Sequence, residues 1–227
     1  MQDSDERPAT DVSTLVAALK PRWRGVLHEA AFAVSLITGT VLVCLADGAR
    51  QRVAVSVYAA CVALLFGTSA AYHRGTWSPR AHALMARLDH SMIFLLIAGT
   101  YTPFCLLLLH GPLQWITLTL VWGGAAAGVV LRNVMRQPPR WLLVGLYLVL
   151  GWVALGIVPD VLRRGGVAVL VLLLLGGAFY SAGALVYARR KPNPSPRWFG
   201  FHEVFHALTL AAFVSHYLAV SFATYGT

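Results

Sequence analysis

Charge is what this sequence lacks most. Only 12% of its 227 residues are Asp, Glu, Lys or Arg, about half the share of an ordinary soluble domain. Apolar residues make up 58% of the chain, and the mean hydropathy is +0.67. So few charges could not cover so much apolar surface, which excludes both a soluble globular protein and a disordered chain. Cysteine is scarce too. Cys44, Cys61 and Cys105 each lie inside an apolar run. An odd number without paired spacing excludes a disulfide framework and a CxxC site, so all three are expected as small buried core residues. A cleavable signal peptide is also missing from the pattern. Residues 1–19 are polar and acidic, and the apolar run after Lys20, Arg22 and Arg24 is too long for a signal core, so it is expected to stay as an anchor. The period-2 alternation of an outer-membrane barrel is absent, as are strong internal repeats and low-complexity tracts.

What is present is a series of seven apolar stretches, each near the ~20 residues that cross a bilayer. They run over residues 26–46, 53–72, 89–109, 114–131, 141–159, 166–187 and 202–223. Between them stand Asp47-Gly48, Trp77-Ser78-Pro79, His110-Gly111-Pro112, Gln137-Pro138-Pro139, Arg163-Arg164-Gly165-Gly166 and a proline-bearing stretch from Arg189 to Arg197. Backbone polar groups cannot be left open in hydrocarbon, so spans of this length are helices. The expected fold is all-α: a seven-transmembrane helix bundle over residues 25–223. A cytoplasmic tail (1–24) precedes it, with a short interfacial helix over Val12–Leu19 as one of two readings, and a short external tail (224–227) follows. Pro103, four residues after Gly99, is expected to kink the third span. Gly123-Gly124, Gly128 and Gly176-Gly177 read as close helix packing.

The few charges fix a direction. Lys and Arg number 18 against 9 acids, a net charge of +9. Such an excess can signal nucleic-acid binding, but these residues sit in short gaps between apolar runs, so they orient the bundle and no nucleic-acid partner is expected. Thirteen fall on one side: Lys20, Arg22, Arg24, Arg74, Arg80, Arg87, Arg132, Arg136, Arg140, Arg189, Arg190, Lys191 and Arg197. Four fall on the other: Arg50, Arg52, Arg163 and Arg164. The positive-inside rule therefore places the N-terminus in the cytoplasm and the C-terminus outside.

Ionisable residues within spans are costly and mark function or pairing. His28 and Glu29 lie near the start of span 1, His73 at the end of span 2, Asp89 and His90 at the start of span 3, and His202, Glu203 and His206 at the start of span 7. With the direction above, four helices place these groups at one depth near the cytoplasmic face. Only His216 lies farther out. His202-Glu203-Val204-Phe205-His206 is an HExxH pattern, in which histidines four apart share a helix face and can chelate one Zn²⁺. Two membrane histidines hydrogen-bonded to neighbouring helices fit the pattern equally well. A third ligand and a water would complete a catalytic-type site. His73 is the candidate ligand, with Ser69 one turn earlier on its face and Asp89 placed to hold or deprotonate the water. His28, Glu29, His90 and Glu203 are candidates for the surrounding layer. Glu203 sits about 100° around the helix from His202, so it is a weaker candidate for a base.

Phe66-Gly67-Thr68-Ser69-Ala70-Ala71-Tyr72-His73 is similar to the Ser-x-x-x-His block of the haemolysin III family, the bacterial branch of the progestin and adipoQ receptors. Leu88-Asp89-His90-Ser91 through Ile97-Ala98-Gly99-Thr100-Tyr101-Thr102-Pro103 resembles the family's third-span block. Phe201-His202-Glu203-Val204-Phe205-His206 resembles its last-span block. The three blocks stand in the expected order across about residues 25–223. The resemblance implies seven helices, a cytoplasmic N-terminus, and zinc held by three histidines with an aspartate beside the site water. Residue by residue, His73 matches the second-span ligand, His202 and His206 the last-span pair, Asp89 the aspartate, Ser69 the serine of its block and His28 the first-span histidine. The glutamate expected before that histidine is missing from Pro21–Leu27, and Glu29 is the candidate substitute.

The family is grouped with alkaline ceramidases. The resemblance therefore implies a zinc-dependent lipid amide hydrolase in a bacterial plasma membrane, with a ceramide-like lipid or a fatty acid as partner and His73, His202, His206, Asp89 and Ser69 as the working residues. Three other readings compete. One is a non-enzymatic membrane-homeostasis or receptor-like protein with a structural zinc and a historical haemolysin label. The second is an intramembrane zinc protease with Glu203 as base. The third is a transporter, against which the clustering at one depth argues. No sequence feature fixes an oligomeric state.

Overall fold

Most helices begin just after a Gly, Asp or Pro break in the sequence. In the computed structural model, which describes residues 21–135 and 138–226, helix α1 spans Val26–Cys44 and α2 spans Gly48–Arg74. Helix α3 spans Pro79–Leu108 and α4 spans Gly111–Val134. Helix α5, Arg140–Gly151, passes into a 3₁₀ segment over Trp152–Ile157; α6 covers Val158–Arg189 and α7 Phe201–Tyr225. At the start of α3 the Ser78 hydroxyl accepts a hydrogen bond from the Ala81 N–H at 3.4 Å, and Pro79 occupies the first turn, where its missing N–H costs nothing. This cap starts α3 ten residues before the apolar run 89–109 does. Residues 79–88 are helical but too polar to register as part of a span.

Among the described residues there is no β-strand, only an isolated bridge between Ser195 and Phe199 in the α6–α7 loop. Among the described residues, six helical stretches are long and apolar enough to cross a membrane, the fifth being the whole of Arg140–Arg189. The protein is an all-helical, multi-pass integral membrane protein. Its outward side chains suit lipid: Trp141, Val149, Ile37 and Val167 are each about two-thirds exposed or more. Within Arg140–Arg189 the backbone leaves helical geometry at Gly166, at φ 80° and ψ 177°, in the Arg163–Gly166 gap read from the sequence. The Val12–Leu19 helix, Arg7, Lys20 and Arg136 lie outside the described residues.

Consecutive helices pack most closely, with α6 on α7, α2 on α3 and α1 on α2 leading; α7 also packs against α1 and α3 and so closes the bundle. Close approach of α2 and α3 depends on Gly99, where an added Cβ would stand 2.6 Å from both Cβ and Sγ of Cys61. Gly128 similarly receives the Phe94 ring. Gly123, in contrast, meets nothing within 4 Å and packs no neighbour. A further expectation needs correction. Cys61 and Cys105 are buried, but Cys44 is exposed at the end of α1, because it falls on the outward face of that helix. Pro103 lies inside the helix α3. The Thr102 hydroxyl donates to the Ala98 carbonyl at 3.0 Å, and the buried neighbours hold the segment in place.

Candidate metal centre

The last turn of α2 and the first two turns of α7 bring three imidazoles together. His73, His202 and His206 each offer a ring nitrogen, and these atoms all lie within 4.8 Å of one another. The Nε2 atoms of His73 and His202 are 3.1 Å apart. The i,i+4 spacing puts His202 and His206 on one face of α7, with ring centroids 4.4 Å apart. Asp89, from α3, places Oδ2 4.0 Å from His73 Nε2. His28, from α1, stacks on His206 with centroids 3.6 Å apart and planes 11° from parallel. Ser69 lies one turn before His73, is buried, and meets His28 Nδ1 at 2.8 Å. Its hydroxyl also faces the Asp89 carboxyl. Ser69 thus joins α1 to α3 behind the cluster.

The remaining candidates separate. His90 Nδ1 meets the Ala86 carbonyl at 2.7 Å and Nε2 meets the Tyr187 hydroxyl at 3.1 Å. A carbonyl only accepts, so Nδ1 donates and, in the neutral ring, Nε2 accepts from Tyr187. His90 is thus fully occupied beside the cluster. Glu29 is not brought to the cluster. Its carboxylate is exposed and pairs with Arg74 Nε at 3.0 Å, so it does not replace the glutamate missing from Pro21–Leu27. Glu203 is completely buried yet engaged elsewhere. Arg24 Nε donates to Oε1 at 2.5 Å, and the Gly200 N–H donates to Oε2 at 2.8 Å. Both oxygens anchor the start of α7, which is what a position 100° from His202 permits.

Sequence reasoning missed three participants. Arg24 reads only as one more positive charge, because its partner lies 179 positions away. Tyr187 and Tyr147 look like ordinary span residues, yet Tyr187 meets the His90 ring and the Tyr147 hydroxyl donates to the His90 carbonyl at 2.9 Å. A further omission is the space next to the cluster. A cavity of about 150 Å³ begins at Asp89, His202 and His206 and runs along α7 as far as His216, between walls such as Leu65, Ile93, Phe104 and Leu143.

Comparison with known proteins decides the family. A family profile described as "Haemolysin-III related" matches residues 16–217. The chain belongs to the haemolysin III family. It is 31% identical to Hemolysin-3 of Bacillus cereus over 174 residues, 77% of this chain and 76% of that protein. It is 30% identical to the heptahelical transmembrane protein ADIPOR2 of Oryza sativa over 163 residues, 63% of this chain and 69% of that protein. Similarity extends to the adiponectin receptor protein of Drosophila melanogaster, 28% identical over 68% of this chain and 39% of the receptor. The clustered residues fall inside the matched region of the family profile.

Proposed function

We propose that this haemolysin III protein is a seven-span, zinc-dependent hydrolase of lipid amides of the ceramide class. It would sit in the bacterial plasma membrane with its N-terminus inside, C-terminus outside, and the site near the cytoplasmic face. The observation that carries the reading is the set of three imidazole nitrogens within 4.8 Å of one another, with Asp89 beside them, at the polar end of an apolar cavity. Three histidines and an open position are what catalytic zinc takes. Nitrogen ligands about 2.0–2.1 Å from one ion stand roughly 3.3 Å apart, close to the 3.1 Å between His73 and His202.

The seventh span comes from Arg140–Arg189. At 50 residues a straight helix would be about 75 Å long, against a hydrocarbon core of about 30 Å. The 3₁₀ segment and the break at Gly166 support reading it as two crossings. The charge count of thirteen against four supports the direction.

When bound, zinc supplies a Lewis acid that polarises a carbonyl and eases deprotonation of water near neutral pH. The chain supplies the rest. His73, His202 and His206 hold the ion. Asp89 Oδ2 orients the attacking water, takes its proton and returns it to the amine nitrogen as the C–N bond breaks. Ser69 fixes the Asp89 carboxyl and the His28 ring, and His28 in turn supports His206. The apolar walls take the acyl chain and keep water from the reacting end. The test is release of fatty acid from a fluorescent ceramide by detergent-purified protein. Loss of at least a hundredfold in activity is expected for His202→Ala and Asp89→Asn; wild-type activity in His202→Ala overturns the reading.

A second reading has one observation in its favour. The cluster joins α2 to α7 and touches α3 through Asp89, so zinc there would staple the bundle without catalysis, as in a receptor-like protein of membrane homeostasis. One zinc per chain, with no hydrolysis of ceramide, fatty-acid ester or N-acyl amine lipids, would select it.

A further inference from the structure

The end of the bundle that holds the histidine cluster also carries a surface that the cluster does not use. The segment leading into α1 lies along the α6–α7 loop. The Arg22 N–H donates to the Arg197 carbonyl at 3.1 Å, and the Trp23 N–H donates to the Trp198 carbonyl at 3.2 Å. The Arg22 guanidinium sits over the Trp198 ring, 4.4 Å from its centroid. Arg22 and Arg197 are exposed, as are Arg189, Arg190 and Lys191 in the same loop. Acids at this end are few and already engaged. Among the described residues, Glu29 pairs with Arg74, Glu203 pairs with Arg24, and Asp89 faces the histidines. The five exposed cations therefore have no acidic partner among the described residues, and backbone pairing holds two of them side by side. Trp23, Trp77 and Trp198 are exposed at this end too, as suits tryptophan at the depth of lipid headgroups.

We propose that Arg22 and Arg197, beside the Trp198 ring, bind the phosphate of an anionic phospholipid, with Arg189, Arg190 and Lys191 adding to the attraction. Like charges held together repel, and an anion between them reverses the sign of the interaction. A guanidinium stacked on an indole keeps its N–H edge for a second partner, and its planar fork matches phosphate oxygens. Basic clusters at the membrane surface recognise acidic headgroups in this way. The occupant is a lipid because the surface belongs to an integral membrane protein and is flanked by exposed tryptophans that a soluble anion would not engage. The inference requires only that the bundle sit in a bilayer. It does not depend on zinc or on hydrolysis.

The experiment is native mass spectrometry of the detergent-purified full chain with equal amounts of phosphatidylglycerol and phosphatidylcholine bearing the same acyl chains. The wild type is expected to favour phosphatidylglycerol by more than about tenfold. Each basic residue near a membrane surface is worth about fivefold in such binding, so Arg22→Gln with Arg197→Gln should cut the preference by about fivefold or more. Arg22→Lys with Arg197→Lys keeps the charge and should keep most of the preference. Arg163→Gln with Arg164→Gln removes the same charge from exposed residues at the other end and should change nothing. Equal binding of the two lipids by the wild type overturns the proposal. So does a lysine pair that loses as much as the glutamine pair, or an Arg163/Arg164 pair that loses as much. Loss of the preference to equimolar glycerol phosphate would make this a site for a soluble phosphate and overturn it as well. A preference that emerges only when residues 1–19, with Asp3, Asp5, Glu6 and Asp11, are removed would assign the surface to the chain's own acidic tail, again against the proposal.

Discussion

His73 and His202 point their Nε2 atoms at each other across 3.1 Å, although 129 residues separate them in the chain. With His206 alongside, the three ring nitrogens could hold one shared cation. Wild-type protein purified without chelators is expected to carry close to one zinc per chain, and His73→Ala or His206→Ala less than a tenth of that, by elemental analysis. A ligand that binds only the folded state stabilises it, by about 2.7 kcal/mol at a hundred times its Kd. Chelation should therefore lower the melting temperature of the wild type and leave that of His206→Ala unchanged. Wild type free of metal after growth in zinc would count against the site.

The Arg24–Glu203 pair is asymmetric, and the asymmetry can be measured. Glu203 is wholly buried, whereas the Arg24 side chain is 19% exposed. Removing Arg24 strands a buried carboxylate, a change that costs about 3–5 kcal/mol in buried pairs. Glu203→Gln instead leaves Arg24 a route to headgroups and keeps an acceptor for the Gly200 N–H. Arg24→Ala should therefore destabilise the protein in detergent more than Glu203→Gln. The double variant should recover much of the loss, giving a coupling energy of at least about 1 kcal/mol. Glu203→Gln is also expected to retain hydrolytic activity, which an enzyme using Glu203 as base would lose.

The cluster was readable because periodicity and scarcity act together. In a chain with nine acidic residues, a lone Asp89 among apolar neighbours stands out. The i,i+4 spacings Ser69/His73 and His202/His206 define faces before any packing is known. The limits have the same origin. Glu29 and His28 are adjacent in sequence, but helical geometry turns one to the Arg74 side chain and the other to His206, and depth alone does not separate them. Cys44 shows the same blindness to facing, since an apolar run does not say which of its sides meets lipid. Arg24, Tyr187 and the cavity depend on pairings between distant elements, for which one sequence carries no signal. The 3₁₀ segment after α5 is likewise silent, because Trp152–Ile157 is as apolar as the helix it interrupts.

Ser69 offers a way to separate binding of the metal from use of it. Its hydroxyl meets His28 Nδ1 at 2.8 Å and faces the Asp89 carboxyl, but it contributes nothing to the three-histidine set. Ser69→Ala should keep its zinc and lose activity by roughly tenfold, the equivalent of about 1.4 kcal/mol in a barrier. Ser69→Thr, which keeps the hydroxyl, should lose less. Equal loss of zinc and activity would instead make the serine a support of the ligands themselves.

Packing between α2 and α3 sets the position of Asp89 relative to His73. Gly99→Ala would place a methyl 2.6 Å from Cβ and Sγ of Cys61, and overpacking of this kind costs about 1–3 kcal/mol. Cys61→Ala removes only the sulfur, so it should relieve part of the strain in the double variant; Cys61→Gly should relieve more. Thermal unfolding of the four proteins orders them. No loss in Gly99→Ala would mean that the helices can separate freely, and then the 4.0 Å from Asp89 to His73 would not be fixed by this contact.

The direction of the bundle can be tested at the break near Gly166. If Arg140–Arg189 crosses twice, the Arg163–Gly166 turn lies outside and the Arg189–Arg197 loop inside. In a background with Cys44, Cys61 and Cys105 replaced by alanine, a cysteine at Arg164 should react with a membrane-impermeant maleimide added to intact cells. A cysteine at Ser195 should react only after the membrane is opened. Arg164 is exposed and Ser195 partly so, and reaction at Ser195 once the membrane is opened separates shielding by the membrane from burial. Labelling of both from the same side would mean an even number of crossings between residues 164 and 195 and would overturn the reading of Arg140–Arg189 as two spans. Labelling with the two sides exchanged would place the site residues in the opposite compartment from the one the charge count assigns.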